Sequence, residues 1–469
     1  MAASMEAGLL NSIQQKISHN TESTQALENF GWSVPRIPVM HRVPDVLRRQ
    51  KQKQHVYSPT TVSIGPIHNI GAEPHLQEME EIKLSYMHML FNRCGQAKFK
   101  QAQKDCVDAM GAMEGDVQKC FAEVKLDKNP RLAEIILIDG CFLIELFFRN
   151  YRKEQDPILW NPFKYYAVQR DLLLLENQIP FFVLEKLFEL LVKYIEVVEG
   201  KPNPSSVNEC VISFFAGMMG LEINNAPTED RYNRTPSDIL TNKREAKVRT
   251  PHHILHLLHT CYVPCIYEEE WKTWEQRNKE VPGFKYAATQ LDIAGVKLQA
   301  REKTNLFKLK FTTPRHCFCL WRKGQFEIPP FTIDESTEPL LRNLIAFEQC
   351  NPGFLSFFTS HAFLMDILID TEDDVKLLEE VGIISNCSGS REAVLQIFND
   401  ICKNAVPRYF LYADLWKNVK DFCTPRRVGF RKLIRYYFGN IWIRVSVIGA
   451  ILLFILTFLQ TFFTIASST

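Results

Sequence analysis

An uncharged segment near the end of the sequence restricts the architecture most. It runs from Val445 to Ala466, contains 22 residues and has no charged side chain. As an α-helix it would be about 33 Å long, close to the thickness of the hydrocarbon core of a bilayer. Core helices of soluble proteins seldom stay uncharged over this length, because one face usually meets water. The segment therefore predicts a single transmembrane helix that anchors the rest of the chain.

The charge distribution predicts which side of the membrane the body occupies. No acidic residue follows Asp421, and removing the six basic residues beyond it from the total of 55 leaves 49, against 54 acidic residues. A mildly acidic body gives no reason to expect nucleic-acid binding. Basic residues beside a span favour the cytosolic side, so we expect a cytosolic body. The six membrane-flanking residues are Arg426, Arg427, Arg431, Lys432, Arg435 and Arg444.

Aromatic residues are interleaved with these basic residues between 426 and 444. One interpretation is binding of anionic lipid headgroups. The other is control of topology by charge and an aromatic belt, which is sufficient to explain the pattern. The first 18 residues lack a basic start and a long apolar region, so no secretory signal is expected. Without entry into the secretory route, a removable lipid-anchor signal is a poorer explanation of the apolar tail.

The 13 cysteines are scattered, and no CxxC pair occurs among them. This spacing does not predict a zinc framework, and we expect reduced, buried thiols. The sequence also has no GxSxG, GxxxxGK[ST], GxGxxG or kinase catalytic-loop motif. The common enzyme classes that depend on these motifs are therefore not indicated.

Hydrophobic periodicity predicts a mainly α, multi-helix domain. Helices are expected at about 73–91, 98–124, 131–151, from Pro180 onward, and at 339–350, 354–369, 372–381 and 391–401. Thr371 with Asp374 resembles a capping box, and Ser390 is a candidate N-cap. A short strand is expected at 62–64, and strands at 305–311, 316–321 and 325–328 predict a small antiparallel β element.

The predicted organisation is one domain with flanking segments. Residues 200–251 are rich in Pro, Asn, Thr and Arg and are expected to form a long loop within that domain. The expected parts are a flexible arm at 1–35, the helical domain at 36–421, a basic juxtamembrane segment at 422–444 and the transmembrane helix at 445–466.

One acidic residue falls on an apolar helix face. Within the predicted helix 131–151, Asp139 lies among Ile135, Ile138 and Phe142, and Gly140 follows it. A buried carboxylate needs hydrogen-bond partners or a raised pKa. Glycine is unfavourable inside a helix, so we expect another element to pack closely at Gly140.

Further polar residues occur within strongly apolar stretches of the sequence. A shared buried network that fixes packing is the favoured interpretation, and a polar pocket for acid-base chemistry is the alternative. The candidates for this network are Asp139, Asp171, Glu176, Asn177, Gln178, Asn343, Glu348 and Gln349.

Four histidines form the sharpest candidate for a metal site, at His252, His253, His256 and His259. Zinc needs at least three ligands and a supporting carboxylate, but no HExxH motif is present. The nearest acidic run lies beyond Pro264, which interrupts the helix. Histidines in the core edge or in solvent are therefore favoured, and no metal or cofactor is predicted.

Several short sequence motifs, in a fixed order over roughly residues 37–466, resemble those of the plant domain-of-unknown-function family 247. Ile67 and Asn69 depart from the family, which more often has an aromatic residue and a second histidine there. The motifs are Arg42-Val43-Pro44, Tyr57-Ser58-Pro59, Val62 to Pro66 with His68, Asp139 to Phe142, Asp171 with Leu175 to Pro180, and Leu341 to Gln349.

The resemblance implies a plant membrane protein of undefined biochemical activity, and it supplies no catalytic residues. Some relatives are linked to self-incompatibility loci of grasses as pollen-side recognition determinants, but that role belongs to particular loci. We therefore expect a single-pass protein of the plasma membrane or endoplasmic reticulum that is not an enzyme. Its expected partners are the bilayer, through 445–466, and an unidentified protein in signalling or recognition. The alternative is a membrane-bound enzyme that uses Asp139 or Glu176.

Overall fold

The computed structural model describes most of the chain between residues 40 and 467. The expected arm at 1–35, the expected strand at 316–321 and most of the expected loop at 200–251 lie outside the described residues. The described ranges are 40–48, 55–69, 74–121, 132–195, 203–218, 251–263, 286–301, 305–313, 323–351, 354–407, 409–439 and 441–467.

Of the residues that the structure describes, 65% are helical, which confirms the predicted fold class. The helices of the described ranges are α1 (Asp45–Arg48), α2 (Pro66–Asn69), α3 (Pro74–Asn92), α4 (Phe99–Cys120), α5 (Leu132–Tyr151), α6 (Pro162–Leu172), α7 (Phe181–Val192), α8 (Val207–Phe215), α9 (Ile254–Tyr262), α10 (Ala288–Ala294), α11 (Thr337–Cys350), α12 (Phe357–Leu368), α13 (Glu372–Glu380), α14 (Arg391–Ile401), α15 (Ala413–Phe422), α16 (Pro425–Gly439) and α17 (Ile441–Ser467).

Helix α5 is the centre of the first half of the body. Nearly every residue from Ile136 to Phe148 is buried, because α3, α4, α7 and α8 pack around it. A helix that is apolar all round has to be enclosed in this way. A Cβ atom added at Gly140 would lie 2.7 Å from Leu187 Cδ1 of α7. The close approach expected at Gly140 is therefore present.

The expectation of a continuous loop at 200–251 is wrong for its first part. Helix α8 occupies Val207–Phe215, and the Ser206 side chain accepts a hydrogen bond from the backbone N–H of Glu209. An N-cap serine followed by apolar residues is a sufficient helix signal, and α8 buries these residues against α5. The sequence around α8 is rich in Pro and Asn, so its composition predicted a loop despite this helix signal.

Two small sheets lie between α10 and α14. In the first, β3 (Gly324–Ile328) pairs antiparallel with β2 (Lys310–Thr312) and in parallel with β1 (Val296–Ala300). In the second, β4 (Phe331–Ile333) pairs in parallel with β5 (Ile384–Asn386). A small antiparallel β element was predicted and is present, but the expected pairing of 316–321 with 325–328 lies partly outside the described residues. The parallel pairs were not foreseen.

Two expected strands are corrected. Residues 305–309 are not a strand, because Asn305 Oδ1 accepts a hydrogen bond from the backbone N–H of Phe307 and forms a local turn. Residues 62–64 are not a strand either. The backbone N–H groups of Val62 and Ile64 bond to the buried side chains of Asp171 and Asn177 instead of a neighbouring strand.

Local capping signals in the second half are confirmed. Thr371 and Asp374 form the capping box of α13, and Ser390 Oγ accepts from the backbone N–H of Ala393 at the start of α14. Helices α11, α12 and α14 pack on one another and enclose a shared apolar core. The domain boundaries at 36, 421 and 444 remain predictions.

Helix α16 packs on α10 and joins the body to α17. Arg427 is buried, with its guanidinium 3.7 Å from the centre of the Phe422 ring and its Nε donating to Ala294 O. Arg427 therefore stabilises the body, which corrects its assignment as a membrane-flanking charge. Arg435 pairs with Asp292 at 3.1 Å. Of the four remaining flanking residues, Arg426 and Lys432 are exposed. Arg431 packs against Gly295, and Arg444 lies within α17.

The segment Val445–Ala466 of α17 is long and apolar enough to cross a membrane, and none of it is buried against the body. It is the one such helix among the described residues.

Candidate functional site

Five of the eight candidate polar residues hold one segment of the chain, which we call the strap and define as residues 40–48 and 55–69. Asp171, at the end of α6, is the first of these. Its Oδ2 accepts hydrogen bonds from three consecutive backbone N–H groups, those of Thr60 at 3.0 Å, Thr61 at 2.6 Å and Val62 at 3.0 Å. Its Oδ1 pairs with Arg170 at 2.9 Å.

Asn177 takes the place that a partner strand would occupy beside the strap. Its Oδ1 accepts from the backbone N–H of Ile64 at 2.6 Å, and its Nδ2 donates to Val62 O at 2.9 Å. The same Nδ2 donates to Asp171 O. One amide side chain therefore satisfies the donor and the acceptor that a β ladder would satisfy, which explains the missing strand.

Asp139 holds the end of the strap together with Lys83. Asp139 Oδ2 accepts from the backbone N–H of Gly65 at 2.7 Å, and Oδ1 lies 2.7 Å from Lys83 Nζ. Lys83 also donates to Ser63 O and pairs with Glu80 at 2.6 Å. Burial opposes the charge on Lys83, but the two carboxylates outweigh it, so the pKa of Lys83 is raised.

Lys83 was not among the residues selected from the sequence. Its position offered a signal, because it follows Met79 by four residues and precedes Tyr86 by three, on the buried face of α3. A lysine on an apolar stripe requires an anionic partner.

Glu176 holds the beginning of the strap. Its Oε1 accepts from the backbone N–H of Val43 at 2.7 Å, while its Oε2 pairs with Arg48 and lies 3.4 Å from His68 Nε2. Burial raises the pKa of Glu176, but His68, Arg48 and the backbone N–H outweigh that effect and leave it lowered. Glu176 is therefore an ionised anchor.

Gln178 and Asn343 fix the chain that carries these anchors. Gln178 Nε2 donates to Leu172 O at 2.7 Å and Leu174 O at 3.0 Å. Asn343, on α11, accepts from the backbone N–H of Leu175 at 2.9 Å. Asn343 Nδ2 also donates to Val56 O at 3.0 Å, so it binds the strap directly and joins the two halves of the body.

Glu348 and Gln349 lie elsewhere. Glu348 caps α12, because it accepts from the backbone N–H groups of Phe358 at 2.9 Å and Thr359 at 2.8 Å. Its Oε1 also lies 3.0 Å from His259 Nε2. Gln349 is half-buried and bonds the backbone of Val406. The structure therefore divides the eight candidates into three groups: the strap site, which comprises the five residues that bind the strap together with Gln178, the helix cap Glu348, and the outer contact Gln349.

The four histidines pack as aromatic and capping residues. His253 Nδ1 accepts from the backbone N–H of His256 at 3.2 Å and caps α9. The rings of His256 and His259 each lie 5.3 Å from the ring of Phe347. Burial lowers the pKa of His253 well below its usual value. In the described part of the chain, no group of three or more His, Cys, Asp or Glu side chains is arranged to hold a metal ion.

The strap site is an intramolecular binding site. Asp139, Asp171 and Glu176 are all buried, and each uses carboxylate oxygens on backbone N–H groups of the strap. Catalysis by a carboxylate requires an oxygen within reach of a substrate proton. Here those positions are filled by the protein's own backbone, so the arrangement holds the strap in place.

A second feature of the surface lies at the start of α6. Trp160, Phe163 and Tyr166 are 66%, 88% and 59% exposed, within seven residues of one another. We call these three residues the aromatic patch. These three residues were not predicted from the sequence, although residues 158–166 are rich in aromatic side chains around Pro162.

Comparison with known proteins gives a family and no activity. A family model described as "Plant protein of unknown function" matches residues 40–456. A putative UPF0481 protein of Arabidopsis thaliana is 25% identical over 498 aligned positions, which cover 88% of this chain and 88% of the relative. Another UPF0481 protein of that plant is 26% identical over 440 positions, covering 90% and 84%. No solved structure matches the chain.

Proposed function

The chain belongs to the plant domain-of-unknown-function family 247, and we propose that it is a membrane-anchored protein that binds another protein and has no enzymatic activity. The observation that carries this proposal is the aromatic patch, three large side chains exposed together on a body in which most of the other described aromatic residues are buried. Exposed clusters of this kind are typical of binding surfaces, where Trp and Tyr supply much of the binding energy.

The use of the candidate acids supports a function without catalysis. Asp171 accepts three backbone N–H groups, Asp139 is paired with Lys83, and Glu176 is paired with Arg48. These contacts leave the two residues of the enzyme alternative, Asp139 and Glu176, engaged with the protein itself. A substrate would have to displace the strap to reach them.

The anchor is supported by α17. Its apolar segment Val445–Ala466 makes no buried contact with the body, and a helix this apolar is unfavourable in water. Arg426 and Lys432 are exposed just before it, which favours a body on the cytosolic side.

The charge around the aromatic patch indicates the chemistry of its partner. The exposed charged residues between 153 and 166 are Lys153 and Lys164. Glu154, the acidic residue beside them, pairs with Arg93. The patch therefore fits a protein surface that presents apolar side chains beside carboxylates.

Proximity labelling by the full-length protein in plant cells tests this function. The double variant Trp160→Ser/Phe163→Ser should lose a defined set of labelled neighbours at unchanged abundance. The matched control is Leu84→Ser/Val107→Ser, which changes two exposed apolar residues on α3 and α4. The control should retain the set.

An identical set of neighbours for both double variants would overturn the proposal. A patch variant that keeps its protein neighbours but is extracted more easily from membranes would also overturn it, because the patch would then contact lipid.

A further inference from the structure

The polar residues of the membrane segment are confined to one side of α17. At 100° per residue they fall within an arc of about 120°, and Leu453 lies inside that arc. The remainder of the helix surface is formed by Val, Ile, Leu and Phe, with one alanine. The residues of this side, which we call the polar face, are Ser446, Gly449, Ala450, Thr457, Gln460, Thr461 and Thr464.

The hydroxyl groups of the polar face are satisfied within the helix. Thr457 Oγ1 donates to Leu453 O, Thr461 Oγ1 to Thr457 O, and Thr464 Oγ1 to Gln460 O, each at 2.8 Å. Ser446 does the same with Trp442 O at 2.9 Å. These residues therefore present small and largely apolar surfaces to a neighbouring helix.

The Gln460 side-chain amide is different. Among the described residues it has no hydrogen-bond partner, and it lies six residues before Ala466, about 9 Å inside the apolar segment along the helix axis. An amide at this depth has lost its hydrogen bonds to water and gains free energy by finding a partner inside the bilayer.

We propose that two copies of this chain pair through the polar face, with Gln460 of one copy hydrogen-bonded to Gln460 of the other. This inference rests on the proposed membrane anchor. A second copy is the occupant that fits, because an amide carries both donors and acceptors and is complementary to itself. Two copies anchored in the same orientation place Gln460 at the same depth, and a twofold axis along the membrane normal brings the two amides together.

The rest of the polar face has the shape that this pairing requires. Gly449 and Ala450 lie about three turns from Gln460 and carry little or no side chain, which allows the two backbones to approach closely. Thr457 and Thr464 lie about one turn on either side of Gln460 and keep this region narrow. The bulky residues, such as Phe458 and Phe462, lie on the opposite side and face lipid.

The test is energy transfer between donor- and acceptor-labelled copies of the full-length protein in membranes. Gln460→Leu should weaken association by roughly 3- to 30-fold, because the hydrogen bond between helices is lost while the span stays apolar. Gly449→Leu should also weaken it by blocking close approach. Phe458→Leu, close to the same depth on the opposite side, is the matched control and should leave energy transfer unchanged.

Undiminished energy transfer in Gln460→Leu would overturn the proposed pairing. A variant whose span is replaced by polyleucine gives the reference level of energy transfer. Wild-type energy transfer no higher than this reference would also overturn the proposed pairing, but it would not contradict the anchor. Alkaline carbonate extraction distinguishes failure of the pairing from failure of the anchor. Release of the protein by carbonate would show that it has no membrane span and would contradict both proposals.

Discussion

Lys83 Nζ on α3 lies 2.7 Å from Asp139 Oδ1 on α5, and their side chains are 0% and 1% exposed. Lys83 also donates to Ser63 O, and Asp139 accepts from the backbone N–H of Gly65, so both members of the pair bind the strap. One buried ion pair therefore holds three separate parts of the chain together. Its removal should affect the whole body.

Lys83→Met should lower the free energy of unfolding by about 3–5 kcal/mol, because Asp139 is left buried without its counter-charge. Urea denaturation of the full-length protein in lipid nanodiscs measures the change. Lys186→Met is the matched control, since Lys186 pairs with Glu189 on the surface, and it should cause no measurable change. Lys83→Met/Asp139→Leu should recover part of the loss. Equal stability of Lys83→Met and wild type would show that the pair is not buried.

Asp171→Ala should release the strap locally. Three backbone N–H groups lose their acceptor, and leaving such groups buried costs on the order of 1–3 kcal/mol. Hydrogen exchange measured by mass spectrometry should show faster exchange at residues 60–62. Asp108→Ala, on the exposed face of α4, should leave exchange there unchanged. Unaltered protection at 60–62 in Asp171→Ala would contradict the strap site.

Two glycines in helices should respond to alanine with opposite signs. Gly140→Ala should be destabilising, because its new Cβ would lie 2.7 Å from Leu187 Cδ1 in a packed core. Gly111→Ala should be stabilising by roughly 0.5–1 kcal/mol, because nothing lies within 4 Å of its new Cβ and alanine favours helix. The denaturation midpoints of the two variants measure the difference. A higher midpoint for Gly140→Ala would show that α5 and α7 are not in close contact there.

Stability should fall as the pH is lowered from about 6.5 towards 4. Burial lowers the pKa of His361 to about 4, and among the described residues neither of its ring nitrogens has a hydrogen-bond partner. The unfolded chain takes up this proton near pH 6.5, so between these values it binds more protons than the folded protein. The loss attributable to His361 is about 3 kcal/mol by this linkage.

Urea denaturation across this pH range, with His361→Leu and His55→Leu, isolates the contribution of His361. His361→Leu should reduce the slope of stability against pH, and His55→Leu is the matched substitution of an exposed histidine. Parallel pH profiles for wild type and His361→Leu would contradict a buried, neutral His361.

Removal of the apolar segment should release the body from membranes. A chain truncated before Val445 should appear in the soluble fraction, while the full-length protein remains after carbonate extraction. The cytosolic orientation further predicts no glycan at the sequons that begin at Asn233 and Asn386, and digestion of the body by protease added outside intact microsomes. A glycosylated Asn233 would place the body in the lumen.

Features that depend on neighbouring residues in the sequence could be predicted from the sequence alone. The apolar segment of α17, the capping box at Thr371 and the burial of α5 all follow from side chains within a few turns of one another. Helix periodicity and capping are local interactions, so their signals survive without knowledge of the fold. The acidic and amide residues of the strap site could be predicted for the same reason, because they are polar residues within apolar stretches of the sequence.

The partners of those residues were decided only by the tertiary structure. Residues 62–64 have the composition of a strand, but Asp171 and Asn177, more than 100 positions away, satisfy their backbone groups. Lys83 on α3 pairs with Asp139 on α5. Arg427 is buried over the Phe422 ring, although the sequence around it resembles that of a membrane flank. A hydrogen bond or ion pair depends on distance in space, and the sequence lists which groups need partners without specifying which ones the fold brings together.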